Sequence, residues 1–187
     1  MIRSLTRSHE QAGFIRIAAI FVFIALITLS ARVSIEFGNA VPFTLQTMVV
    51  LLTGMVLGSL DGGIAMMSYV ALIAIGLPLD ARALGTVSLF GPTGGYLIGF
   101  IVATIATGFI CEKSGNRFWM RCLAGIVGAF TIYLVGVPHL KLYTGMDWSA
   151  AWIAGAAPFI AVDIVKALIA AGLAESGKSI LERIRLS

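Results

Sequence analysis

The stretch that decides how this chain reads is PFIAVDIVKALIAAGLA, residues 158–174. With the apolar residues ahead of it, it forms a run from 150 to 174, within the roughly 17–25 residues that cross a bilayer as a helix. Inside that run stand two ionisable side chains, Asp163 and Lys166. Each costs roughly 2.5–3.5 kcal/mol to insert, which makes them candidates for a functional site. Three positions apart on a helix, they share a face and can neutralise each other. They can also offer an acceptor and a donor side by side to a polar ligand. The competing reading is an ion pair that ties the helix into a bundle, a job that apolar residues do without a desolvation penalty. Pro158, just upstream, should kink the helix or free a carbonyl beside the pair.

Composition places the whole chain in the same solvent. Of 187 residues, 59% are hydrophobic and 12% charged, against about 25% charged in a soluble domain. Mean hydropathy is +0.99. Five further apolar runs are expected as membrane helices: 14–35, 42–58, 62–77, 94–111 and 120–137. Residues 14–35 follow a basic start but lack a small-x-small cleavage site, so they read as a first span and not as a signal peptide. The expectation is an all-α integral membrane protein of one domain with six transmembrane helices.

Lysine and arginine orient it. With the N-terminus inside, the cytoplasmic side holds Arg3, Arg7, Arg16, Lys113, Arg117, Arg121, Lys178, Arg183 and Arg185. The other side holds Arg32, Arg82 and Lys141. Both termini are therefore expected in the cytoplasm. The basic balance of +4 belongs to these flanks and implies no nucleic acid. The tail SGKSILERIRLS reads as a short amphipathic surface helix or a frayed end. Cys111 and Cys122 read as small apolar fillers, and neither a disulfide nor a metal site is expected. Without a G-x-x-x-x-G-K-[ST] loop or an H-E-x-x-H motif, neither ATP hydrolysis nor enzyme chemistry is expected of the chain itself. His9 and His139 read as solvated residues.

Polar candidates gather toward the outer side, in VPFTLQT (41–47) and PLDARALGTVSLFGPTGGY (78–96). Gln46, an amide at the start of an apolar helix, needs hydrogen-bond partners from a neighbouring helix or a ligand. Thr44 and Thr47 flank it, though either hydroxyl can bond back to its own chain. Tyr96 and Tyr133 suit a ring-containing ligand or the membrane interface. Arg82 could hold a carboxylate or pair with Asp80. Gly91, Gly94 and Gly95 could bring backbone N–H groups to a ligand or simply make a turn.

Taken together, VPFTLQTMVVLLTGMVLG (41–58), GPTGGYLIGF (91–100), GVPHL (136–140) and PFIAVDIVKALIAA (158–171) resemble the BioY family. These are the biotin-binding S components of energy-coupling factor (ECF) transporters. The likeness runs from about residue 24 to residue 171 and keeps the order and spacing of all four blocks. It implies the ECF S-component fold in a bacterial plasma membrane and a biotin site near the outer face. It also implies partnership with a coupling transmembrane protein and two ABC-type ATPases, which use the ATP, although some members work without that module. The family pattern places Gln46, Tyr96, Asp163 and Lys166 in or beside biotin. Asp163 can accept from the ureido N–H groups and Lys166 can donate to the ureido carbonyl. Thr44, Gly94, Tyr133 and, at the valerate carboxylate, Arg82 complete the expected ligand-binding set. Capture under the loop before Tyr96 would be followed by reorientation of the bundle.

S components commonly carry an Ala-x-x-x-Ala surface on the first helix that docks the coupling protein. Here the run is IALITLSARVSI (24–35), so Ala25 is followed by Leu29. Ser30 and Ser34 form a small pair one step away, and Ala25, Ser30 and Ser34 are the docking candidates. The alternatives are an S component for another vitamin, a structural membrane subunit, and a membrane enzyme using Asp163 and Lys166 as acid and base.

Overall fold

A computed structural model describes residues 2–36, 40–115 and 117–186, with side chains over 13–36, 40–115 and 117–177. The side chains of Arg3, Arg7, His9, Lys178, Arg183 and Arg185, and with them most of the SGKSILERIRLS tail, lie outside the described residues. Among the described residues the regular structure is helical apart from one short pairing of strands. In order come α1 (Ile2–Arg32), β1 (Ser34–Ile35), β2 (Phe43–Thr44), α2 (Gln46–Ala74) and α3 (Thr86–Phe90). They are followed by α4 (Gly94–Lys113), α5 (Phe118–Thr144), α6 (Trp148–Gly155) and α7 (Ile160–Leu186). Backbone groups in hydrocarbon must be satisfied within the segment, which is why long helices dominate.

Among the described residues four helices are long and apolar enough to cross a membrane, or five if α6 and α7 count as one broken span. The two runs expected at 42–58 and 62–77 are two helices joined without an intervening loop, and α2 spans both. Pro42 does not open it: helix begins at Gln46, and Pro42 lies ahead of β2. Yet α2 is not straight. Gly58 takes φ 81° and ψ −173° in its interior, a left-handed φ that L side chains avoid. Beyond it the chain doubles back, so that Gly62 comes against Gly54 and the Thr53 carbonyl. The Gln46 amide reaches Tyr69, 23 residues later, at 2.8 Å; an unbroken helix would hold them roughly 34 Å apart. The reversal is capped by Glu112, which accepts from the Ser59 N–H at 2.7 Å and the Ser59 hydroxyl at 2.9 Å.

The expected break at Pro158 is present. Helices α6 and α7 meet at 45°, with Pro158 in the turn between them. The first helix ends at Arg32 rather than at residue 35, because Ser34 and Ile35 leave it to pair antiparallel with Thr44 and Phe43. Residues 78–96 are not a plain loop but contain α3.

Polar contacts mark the two ends of the bundle. At one end Arg16 pairs with Asp61 at 2.6 Å, Glu112 holds Ser59, and Arg121 pairs with Glu175. Arg121, counted above among the cytoplasmic charges, is buried beneath that pairing. At the other end Arg32 donates to the Pro78 and Asp80 carbonyls and Arg82 pairs with Glu36 at 2.8 Å. Cys111 is buried and Cys122 half-buried, both as free thiols.

Between the ends, helices meet through small residues, the usual solution where lipid removes any hydrophobic gain from association. A Cβ on Gly54 would stand 2.5 Å from the Thr104 carbonyl oxygen, and one on Gly108 would strike the Ser59 amide. Ala124, Ala167, Ala170, Ala171 and Ala174 continue the seam between α5 and α7. The outward side chains, among them Phe14, Phe21, Phe90, Leu134 and Ile153, are large and apolar, as a lipid-facing surface requires.

The close approach at Gly108 is testable. Gly108→Ala forces overpacking, worth about 1–3 kcal/mol, and should lower the melting midpoint in detergent by roughly 2–4 °C per kcal/mol. Gly172→Ala, where an added Cβ meets nothing within 4 Å, should leave the midpoint unchanged or slightly raised. Equal midpoints for the two variants would contradict the packing of α4 on α2.

Candidate ligand-binding site

The break at Pro158 sets up the site. It lets α7 restart at Ile160 with Asp163 in its first turn, where the positive end of the helix favours a carboxylate. One turn later Lys166 lies on the same face. Its Nζ donates to Asp163 Oδ1 at 2.7 Å and to the Thr44 carbonyl at 2.7 Å. Tyr133, from α5, donates its hydroxyl to Asp163 Oδ2. Asp163 is 4% and Lys166 7% exposed, so the pair is enclosed and held from three elements. Both earlier readings of it therefore apply together: it ties α7 to β2 and α5, and it faces a cavity.

That cavity contains about 650 Å³ of space, its open side included. Of the sequence candidates, Asp163, Lys166, Gln46, Tyr96, Arg82, Thr44 and Tyr133 line it. They come from α2, α4, α5, α7, β2 and the segment before α3. The short β1–β2 pairing aims the Thr44 carbonyl at Lys166. Tyr96, in the first turn of α4, donates to the Gly155 carbonyl at 2.9 Å, which fixes the ring against the end of α6.

Gly94 is not among the lining residues. Its α-carbon packs against the Leu89 carbonyl and the His139 ring, so the glycine run makes the turn into α4 rather than a backbone cradle. His139 is not solvated as expected: it is half-buried and its Nε2 lies 3.0 Å from the Gly91 carbonyl oxygen. Gln46 combines its two readings, since its Nε2 is taken by Tyr69 while the residue still lines the cavity. Arg82 is paired, though with Glu36 and not through its side chain with Asp80. The Asp80 carboxylate instead accepts the backbone N–H groups of Gly85 at 2.7 Å and Arg82 at 3.1 Å. Burial opposes its charge, but such hydrogen bonds outweigh it and hold the carboxyl below its ordinary range.

Of the docking candidates, Ala25 is exposed on α1. Ser30 and Ser34 do not form an exposed pair. Ser30 is buried and bonds the Ile27 carbonyl, and Ser34 lies beyond the helix in β1. The i,i+4 spacing fails there because the helix ends first.

Several wall residues went unread in the sequence. Phe159 and Phe100 line the cavity, and Phe43 packs on Phe159 with ring centroids 4.2 Å apart. Phe159 could have been found from its place between the helix-breaking Pro158 and Asp163. Behind the wall, Tyr69 and Gly136 carried no local signal. Gly136 leaves room for the Tyr96 ring, which an added Cβ would approach at 2.5 Å. The assembled site offers apolar and aromatic walls, one neutralised ion pair and a few free hydrogen-bonding positions. Such a chamber suits a compact ring with a polar edge.

The same fold occurs in the crystal structure at 2.1 Å of the S-component for biotin from an ECF-type ABC transporter. The superposition has a TM-score of 0.83 and covers 90% of this chain and 93% of that one, at 23% sequence identity. In sequence, the chain is 41% identical over 154 residues to the biotin transporter BioY of Thermotoga maritima, covering 82% of this chain and 89% of that protein. It is 37% identical over 167 residues to the biotin transporter BioY of Rhodobacter capsulatus, covering 82% and 87%. Residues 5–183 match the BioY family, and with a likeness that spans nearly its whole length the chain belongs to that family.

Proposed function

We propose that the protein takes up biotin as the substrate-binding subunit, or S component, of an ECF-type transporter. The observation that carries this reading is the enclosed Asp163–Lys166 pair, with Tyr133 and Thr44 as further partners, set in an aromatic-walled cavity. Family membership and the names of the relatives point the same way. The chemistry matches feature by feature. A ureido group carries two N–H donors and one carbonyl acceptor. Lys166 spends two of its hydrogens on Asp163 and Thr44, and the third can go to that carbonyl. Tyr133, which donates to Asp163, keeps a lone pair for an N–H. Phe100, Phe159 and Tyr96 suit the fused ring and its sulfur. Arg82, at the rim, suits the valerate carboxylate by exchanging its exposed partner Glu36 for the ligand.

The segment from Leu77 to Thr93 acts as the cover. It is fastened by Arg32 to the end of α1, by Arg82 to Glu36 and by Tyr69 to the Leu79 carbonyl. A coupling transmembrane protein with ABC-type ATPases would drive the bundle from outward to inward facing, and the site must lose contacts in that change for biotin to leave. In the cell membrane we assign six crossings, counting the halves of α2 on either side of Gly58 separately and α6 with α7 as one. The end that holds Arg16, Lys113 and Arg117 faces the cytoplasm with both termini.

Orientation has a direct check. In a variant whose native Cys111 and Cys122 are replaced by alanine, a membrane-impermeant maleimide should label Leu84→Cys in intact cells. It should reach Lys113→Cys only after permeabilisation. The reverse pattern would invert the topology.

Ligand identity is tested by melting the purified, biotin-free protein in detergent with and without micromolar biotin. At about a thousand times its dissociation constant a ligand adds about 4 kcal/mol, so the midpoint should rise clearly with biotin and not with other vitamins. Asp163→Asn and Lys166→Ala should each weaken biotin binding by at least roughly tenfold, the loss of one charge-assisted hydrogen bond. Near-normal binding by both folded variants would remove the pair from the site.

A further inference from the structure

Behind the cavity wall stands a buried tyrosine that lines nothing. Tyr69 is fully enclosed and is not part of the cavity surface. Its hydroxyl donates to the Leu79 carbonyl at 3.1 Å and accepts from Gln46 Nε2 at 2.8 Å. A phenol has a single hydrogen, and a carbonyl can only accept. With that hydrogen committed to Leu79, the phenol oxygen can meet Gln46 only as an acceptor, so the amide must turn its nitrogen toward Tyr69. The reversed amide would set oxygen against oxygen with no hydrogen between them.

The consequence lies on the other side of the same amide. Among the described residues Gln46 Oε1 has no hydrogen-bond partner. It is also absent from the enclosed, unpartnered side-chain atoms, which among the described residues are only Ser88 Oγ and Arg121 Nε. It is therefore in contact with open space, and the space beside Gln46 is the cavity. We propose that Tyr69 is a positioning residue: it locks the Gln46 amide so that the site presents a carbonyl acceptor, and thereby selects a ligand carrying an N–H donor at that point. The inference rests on the biotin reading above, in which a ureido N–H is the donor. It adds a polarity that lining residues alone do not have, since a glutamine free to flip accepts or donates equally well. The same hydroxyl anchors the covering segment at Leu79, so ligand selection and closure share one atom.

The test is a double-mutant cycle on biotin affinity, measured by calorimetry with the full-length chain in detergent. Tyr69→Phe keeps the ring and removes only the hydroxyl. It should weaken biotin binding by about tenfold, whereas in a Gln46→Leu background it should change affinity by less than about twofold. Equal losses in the two backgrounds would overturn the proposal, since the hydroxyl would then act through Leu79 alone. Wild-type affinity in Tyr69→Phe would overturn it as well. If a variant fails to fold, the wild-type protein decides with two analogues, each methylated at a different ureido nitrogen. At least one should bind at least tenfold more weakly than biotin, and undiminished binding of both would overturn the proposal. Absence of biotin binding by the wild-type chain would instead overturn the ligand assignment, and this inference with it. Binding by the wild type with an unaltered Tyr69→Phe rejects the inference alone.

Discussion

An ammonium and a carboxylate held 2.7 Å apart inside the bundle set conditions that the surrounding structure has to meet. Neither charge can face lipid, and neither can be left with unfilled hydrogen-bonding positions. The answer draws on three elements besides α7. Tyr133 of α5 supplies a hydroxyl to the acid, Thr44 of β2 supplies a carbonyl to the base, and β1 pairs with β2 to keep that carbonyl in place. Breaking any of these contacts exposes a charge in low dielectric. The pair thus works as a clamp on the half of the molecule that holds the cavity, and it leaves a small remainder of hydrogen-bonding capacity on the cavity side.

The other half is organised by absence of side chain. Gly58 permits the reversal of α2, and Gly54 and Gly108 let the first half of α2 and its turn lie against α4 at backbone distance. Dispersion and close fit hold helices together in lipid, where apolar burial gains nothing. Small residues on the seam and large ones outside follow from this. A tightly packed half facing one side and a cavity facing the other gives a bundle able to carry a ligand near one surface.

The segment proposed to cover the cavity is held by polar contacts as well as by Leu79 and Leu89 against the core. Arg32, Arg82, Tyr69 and Asp80 each spend hydrogen bonds on it. Such contacts at a surface are individually modest and can exchange with water, which suits a segment that must open. Burying Asp80 while keeping it ionised, through backbone N–H groups, gives the segment a fixed fold of its own, so that it can move as a unit.

Much of this was legible in the chain. Hydropathy pointed to membrane helices, of which four or five stand among the described residues, proline marked the break before α7, and an acid and a base three residues apart marked a candidate site. These signals are local: each depends on the cost of a polar group or a missing N–H in hydrocarbon, whatever else surrounds it. The resemblance of four blocks to one family then named a ligand, and seven of the eight expected lining residues meet at the cavity. Other features were not legible. Nothing near Tyr69 says that it faces Gln46, because their contact exists only once Gly58 turns the chain back. Gly94 could have been a cradle or a turn and is a packing residue, and Ser34 left its helix to join a strand pair. Arg82 found Glu36 instead of Asp80. By itself the sequence determined the solvent, the helices and the chemical kind of site, since these follow from the transfer energies of single residues. The tertiary structure alone decided which hydrogens and lone pairs remain free, because that depends on partners brought together from distant parts of the chain.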